Sequence, residues 1–213
     1  MELDGVQIGV ADAGEAVAAY TFLLGVEAAR LAGGVRRFQL GCGAVELESG
    51  EPGLRSIRFV GERPAVWPDD FHGLAVSLGT RPELPPATET VAIDHVVVRT
   101  PDADRAIRLW RDRLGLRLAL DRVFPDRGLR LVFFRSAGLT LEFAANDAPA
   151  GDGPDRLYGV SYRVGDLAAH RERLARAGVD VSPIRPGMRP GTSVVTVRSG
   201  TAGVPTLLLE AHQ

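Results

Sequence analysis

Ile93-Asp-His-Val-Val-Val-Arg-Thr-Pro-Asp102 leads into Ala103 to Leu114 and then Gly115. The first part is apolar and β-branched, which suits a strand. Asp102 stands where a helix N-cap belongs, and Ala106, Ile107, Leu109, Trp110 and Leu114 follow at helical spacing. Gly115 occupies the place of a C-cap glycine. The stretch reads as strand, capped helix and glycine stop.

The same grammar recurs. Leu3, Asp4, Asp12, Tyr20, Leu24 and Gly25 stand 90 residues before Ile93, Asp94, Asp102, Trp110, Leu114 and Gly115. Downstream, at an offset of 64, Gly159-Val-Ser-Tyr-Arg163 and Asp166 match His95 to Arg99 and Asp102, and a helix follows from Leu167 to Ala177 before Gly178. Such internal repetition decides the architecture. Each helix is followed by short strand-like runs at 35–40 and 44–48, at 116–124, 129–135 and 139–144, and at 179–184, 193–197 and 205–211. The unit is βαβββ. Residues 54–79 read as a degenerate copy whose helix is missing, because Pro64 and Pro68 interrupt its place. The fold class expected is α+β, with tandem βαβββ units paired into cupped mixed sheets. Residues 1–79 form a degenerate N-terminal half, 80–91 a Pro-rich linker, and 92–213 a complete C-terminal domain.

Composition bounds the function. The chain has 213 residues, 45% hydrophobic and 24% charged, with a net charge of -2. That balance gives no field for nucleic acid or an anionic membrane. There is no run of ~20 apolar residues to span a bilayer. The acidic start, Met1-Glu-Leu-Asp, lacks the basic and apolar regions of a secretory signal, so the expected location is cytoplasmic. One cysteine, Cys42, excludes an intrachain disulfide and a cysteine-cluster metal site. All 25 basic residues are arginine, as a GC-rich genome would produce, and the lack of lysine excludes Schiff-base chemistry and a P-loop.

Alternation places Ile93, His95, Val97 and Arg99 on one strand face, and Asp94, Val96 and Val98 on the other. Glu142 and Glu210 end the apolar runs Leu-Thr-Leu-Glu and Leu-Leu-Leu-Glu. A carboxylate in such a strand needs a cation, a metal or solvent.

The ordered set Ile-Asp-His95-Val-Val-Val, Trp110 to Gly115, Leu-Thr-Leu-Glu142-Phe, Gly159-Val-Ser-Tyr-Arg-Val-Gly-Asp166-Leu and Leu-Leu-Leu-Glu210 resembles the vicinal oxygen chelate superfamily, the group of glyoxalase I, bleomycin resistance proteins and extradiol dioxygenases. The resemblance implies a cup holding a divalent metal (Zn, Ni, Fe, Co or Mn), ligated from the first and last strand of each unit. Those four places here are His95, Glu142, Gly159 and Glu210. His95, Glu142 and Glu210 are therefore the expected metal ligands, with Gly159 leaving a hole where an imidazole would stand. Glu210 or Glu142 is the expected general base.

The function this implies is a metal-dependent, glyoxalase-like enzyme acting on a small molecule by isomerase, epimerase or lyase chemistry. The alternatives are a metal-free binding protein of the bleomycin-resistance type and an extradiol-type dioxygenase, the last marked down because Gly159 removes one imidazole. Arg99 and Arg163 occupy matching places and are expected to meet substrate with Gly159. The loop Pro183 to Thr192 is expected to act as a lid carrying Arg185 and Arg189. The N-terminal half, with Gly5 at the place of His95, is read as structural, covering the other domain or forming a homodimer interface. Glu46 and Glu48 are expected to be solvated, as are His72 on a loop and His170 on a helix. His212 is expected to fray, and Cys42 to sit in a tight turn with no catalytic role.

Overall fold

The computed structural model describes residues 1–84 and 90–212. The N-terminal half runs β1 (Glu2–Val10), α1 (Ala13–Leu24), β2 (Ala29–Arg30), β3 (Arg36–Gln39), β4 (Ala44–Ser49), β5 (Gly53–Val60) and β6 (Val76–Gly79). The C-terminal half runs β7 (Val91–Arg99), α2 (Ala103–Ile107), β8 (Arg117–Phe124), β9 (Leu129–Ser136), β10 (Leu139–Asn146), β11 (Arg156–Val164), α3 (Leu167–Arg176), β12 (Arg185–Pro186), β13 (Thr192–Val197) and β14 (Thr206–Ala211).

The capping grammar accounts for the helices. Asp12, Asp102 and Asp166 each accept a hydrogen bond from the backbone three residues on, at Glu15, Arg105 and Ala169. That satisfies one of the orphan amides of each first turn. Gly25, Gly115 and Gly178 then take positive φ at the far ends, a conformation that costs glycine little. The second helix departs from the pattern in one respect: Arg108–Arg113 widens into π-type turns. Trp110 lies on that wider stretch.

Six strands form the first sheet, in the order β2-β3-β4-β1-β5-β6, and eight the second, in the order β12-β13-β14-β11-β7-β10-β9-β8. In each sheet the first strands of two units lie side by side and antiparallel, β1 with β5 and β7 with β11. Each is flanked by the last strand of its own unit in parallel. This is the expected pairing of βαβββ units. The degenerate copy keeps its first strand, β5, and its last, β6. No helix occupies 61–71. Of the Pro-rich segment between the halves, residues 85–89 lie outside the described residues.

One expected strand does not form. Residues 179–184 make only a single bridge, Val181 to Val197, and the ladder resumes as the two-residue β12. Pro183 and Pro186 lack the amide protons a longer ladder needs.

The halves share one core. Trp110 is fully buried, with ring centroids 5.9 Å from Phe59, 5.6 Å from Phe71 and 5.8 Å from Phe143. Its repeat counterpart Tyr20 donates its hydroxyl to the Thr201 carbonyl at 3.0 Å. Each half thus inserts its helix aromatic against the other. His170 belongs to this seam rather than to a solvated face: its Nε2 lies 2.7 Å from the Leu23 carbonyl, beside Arg173, and burial pushes its pKa down.

Candidate functional site

The open face of the eight-stranded sheet encloses a cavity of about 980 Å³. Its lining carries Asp94, His95, Arg99, Glu142, Gly159, Ser161 and Arg189. Apolar side chains such as Val97, Leu131, Phe133 and Leu207 form much of the rest.

Asp94 reaches the cup through a register shift. Ser161 pairs with His95 and Tyr162 with Ile93, so Asp94 is the extra residue on β7. A bulge of this kind lets two consecutive side chains share a face. Strict alternation put Asp94 on the core side with Val96. In the structure Ile93 takes the core, fully buried, and Asp94 joins His95. Asp94 Oδ2 lies 2.9 Å from His95 Nδ1. His95 Nε2 lies 2.8 Å from the Ser161 hydroxyl and 3.7 Å from Glu142 Oε2. Asp94 and Ser161 are the residues that sequence reasoning missed. A signal for Asp94 existed, since Asp4 stands at the same repeat position. Ser161 shares the strand parity of Gly159.

The two carboxyls differ. Burial pushes the Glu142 pKa up, and the neighbouring Asp94 adds to this, against the His95 charge. Burial also raises Asp94, but the hydrogen bond and charge of His95, with Arg163 and Arg189, outweigh it and hold Asp94 below its ordinary value. Environments that split a carboxyl pair in this way suit acid–base work.

Glu210 does not join them. Ser161 pairs with Leu207 and Arg163 with Leu209, so the odd-numbered residues of β14 face the cup and Glu210 faces α3. Its carboxylate accepts the Leu167 amide at 3.1 Å, capping the first turn of that helix, where a negative charge is favoured. Glu210 is therefore neither a cup base nor a ligand partner of His95.

Gly159 lines the cup, but it leaves no hole. A Cβ there would stand 2.5 Å from the Pro205 carbonyl oxygen. The strand beside it fills the space an imidazole was expected to leave. Of the four places for metal ligands, two remain: His95 and Glu142. Among the described residues no group of three His, Cys, Asp or Glu side chains is arranged to hold a metal. Protein metal centres ordinarily take three or more protein ligands, so the residues present do not fit that ion.

Of the expected substrate contacts, Arg99, Gly159 and Arg189 line the cup and Arg163 does not. Arg99 is exposed and stacks on Tyr158, 3.9 Å from the ring centroid. Arg163 approaches Asp94 at 3.6 Å. Arg185 and Arg189 line the cup from the expected lid loop. His212 Nε2 lies 2.8 Å from the Ser193 hydroxyl, away from His95.

The N-terminal half shows the same frame closed. Asp4 is the extra residue of β1, as Asp94 is of β7. Glu46 pairs with Gln7 on β1 as Glu142 pairs with Val97 on β7. Between them lies Arg37, fully buried, at 2.9 Å from Asp4 and 2.7 Å from Glu46. Glu46 is thus buried and paired, not solvated, while Glu48 is exposed. Gly5 faces the Ala44 carbonyl so closely that a Cβ would stand 2.0 Å from it, so this half has no room for a counterpart of His95.

Residues 94–196 match the family model described as Glyoxalase/Bleomycin resistance protein/Dioxygenase superfamily. A curated relative, ethylmalonyl-CoA/methylmalonyl-CoA epimerase of Cereibacter sphaeroides, is 26% identical over 100 residues, covering 42% of this chain and 72% of the relative. Among solved structures, methylmalonyl-CoA epimerase from Mycobacterium tuberculosis is 22% identical over 57% of this chain and 88% of its own, with a TM-score of 0.48. A variant of 4-hydroxymandelate synthase from Streptomyces coelicolor matches 99% of this chain and 92% of its own at a TM-score of 0.72 and 12% identity. This last likeness shows a shared fold across both halves.

Proposed function

We propose, from the match of residues 94–196 to the family model of the glyoxalase, bleomycin resistance protein and dioxygenase superfamily, that this chain is an enzyme moving a carbon-bound proton on a small carbonyl compound. The chemistry is of the isomerase or epimerase kind, which accords with the name of the curated relative. One observation carries the reading. Glu142, raised in pKa by burial, lies 3.7 Å from His95 Nε2 in the floor of a cavity about 980 Å³ in volume.

A general base works best when its pKa approaches the operating pH. An apolar wall moves Glu142 in that direction. His95, held on Nδ1 by Asp94, presents Nε2 to the cavity and can give or receive the second proton. Ser161 orients the same nitrogen. Asp94 keeps its negative charge and steadies the imidazolium as it forms. These groups provide both halves of a proton transfer.

The test is hydrogen exchange in deuterated water, read by NMR on a panel of 2-substituted acyl thioesters, 2-oxo acids and phosphorylated carbonyl compounds. The wild type should wash deuterium into the carbon next to the carbonyl of one member. Glu142→Gln should lose that exchange by a factor of about 10² to 10⁴. Binding of a panel member without exchange would favour the sequestering protein of the bleomycin-resistance type. Exchange unaffected by Glu142→Gln would overturn the assignment of the base.

A further inference from the structure

Arg99 and Arg156 stand directly opposite one another across the antiparallel β7–β11 pair, at one end of the cup. Like charges in that position repel and destabilise a sheet. Among the described residues neither arginine has an ion pair or a side-chain hydrogen bond with any acid. The acid nearest Arg156 in sequence, Asp155, is buried and pairs with Arg105 at 2.7 Å. Arg127 lines the same end from the turn between β8 and β9.

Tyr158 is the extra residue on β11 at this point, as the register passes from Leu157 to Gly159. Its ring lies under the Arg99 guanidinium at 3.9 Å. Stacking fixes the plane of a guanidinium while leaving its edge N–H groups free. The bulge thus supplies a platform, and the platform aims a donor fork. Arg156, opposite, supplies a second.

We propose that this end of the cup is an anchor for a tetrahedral dianion, the phosphate group of a phosphorylated substrate. The proposal rests on the reading of His95 and Glu142 as the reacting centre and adds the class of molecule it serves. Two adjacent guanidinium groups with no acid of their own, and Arg127 near them, call for a group with more than one negative charge, which a dianion supplies and a single carboxylate does not. Charge-assisted hydrogen bonds from two forks suit a group with three terminal oxygens. Arg99 lies four residues along β7 from His95, about 13 Å at the usual strand rise. The Arg99 guanidinium lies over Tyr158, the residue before Gly159, and Gly159 pairs with Val97, two residues from His95, so the gap is shorter than the strand rise alone gives. The substrate is accordingly a compact phosphorylated carbonyl compound, with its reacting carbon over His95.

The experiment uses the full chain with inorganic phosphate as probe, malonate as the dicarboxylate counterpart, and chloride at matched ionic strength. Binding is read by calorimetry and by thermal denaturation. Phosphate should raise the melting temperature above the chloride control. Arg156→Gln should weaken phosphate binding about tenfold or more and, in chloride alone, should melt higher than the wild type because the repulsion is gone. Arg135→Gln, at another part of the cup lining, should weaken it less than about twofold if the site is local rather than a diffuse field. Phosphate acting no better than chloride, or equal losses in the Arg135 and Arg156 variants, would overturn the anchor. Malonate binding as tightly through the same arginines would overturn the tetrahedral dianion. Glu142→Gln should bind phosphate like the wild type, so failure of the anchor and failure of the acid–base reading are separable.

Discussion

Asp94 and His95 are neighbours in sequence, yet both point into the same cup, with Asp94 Oδ2 2.9 Å from His95 Nδ1. The bulge at Asp94 is what permits this. It turns a residue that alternation assigns to the core into the group that fixes the imidazole. A carboxylate on Nδ1 sets the tautomer and orientation of a working histidine.

Asp94→Asn should therefore impair function through His95 rather than by loss of binding. We expect kcat to fall while KM stays within about a factor of two, the pattern of an interaction lost chiefly in the transition state. Stability should respond to pH as well. The folded-state pKa of Asp94 is held below 3.8, so its contribution is present above that value and is lost as pH falls through the lower folded one. Urea midpoints measured from neutral to strongly acidic pH should decline less steeply in the Asn variant. Parallel wild-type and variant curves would count against the pairing.

Glu142→Gln should have the opposite effect on stability. Burial raises the Glu142 pKa above 4.5, so the ionised form costs stability once pH exceeds that value. At pH 7 the glutamine variant should melt higher, by about 2–4 °C for each kcal/mol regained in a chain of this size. It should lose activity at the same time. Site residues that gain stability on substitution are a mark of function. Calorimetry at pH 7 and again near pH 4 checks the sign, since the gain should shrink in acid.

Gly159→His should not build a metal site. The new Cβ meets the Pro205 carbonyl oxygen at 2.5 Å, and backbone cannot yield as a flexible side chain does. We expect destabilisation of about 1–3 kcal/mol, as for other overpacked positions. Zinc affinity in a chelator competition should match the wild type. A tenfold gain in affinity would show that β14 can move aside.

The repeat was legible in the sequence because capping leaves a mark that packing does not obscure. Asp12, Asp102 and Asp166 recur at fixed offsets, and each does cap its helix. His95 and Glu142 were legible because polar residues in apolar strands stand out. Strand parity was not. Whether Glu210 faces the cup depends on Val160 pairing with Thr206, a long-range register that the run Thr-Leu-Leu-Leu-Glu does not encode. The bulge at Asp94 is likewise set by the partner strand. The closing of the N-terminal cup was hidden for a third reason. Arg37 looks like any other residue in an arginine-rich chain until the fold sets it between Asp4 and Glu46.

Arg37 gives the last prediction, because it fills the closed N-terminal cup between the counterparts of Asp94 and Glu142. It is fully buried between two acids, Asp4 at 2.9 Å and Glu46 at 2.7 Å. Arg58 offers weaker support, at 3.4 Å from Asp4 and 3.7 Å from Glu46. Breaking a buried ion pair by removing one partner leaves uncompensated charge, and typically costs about 3–5 kcal/mol. Arg37→Met, which keeps much of the volume, should therefore lower the denaturant midpoint sharply at neutral pH. Replacing all three residues with apolar ones of similar size should recover most of the stability, because no charge is then left buried. If the single variant were as stable as the wild type at pH 7, the network would be dispensable. The N-terminal half would then be held by its apolar core alone, and the space around Arg37 could be opened without loss of fold.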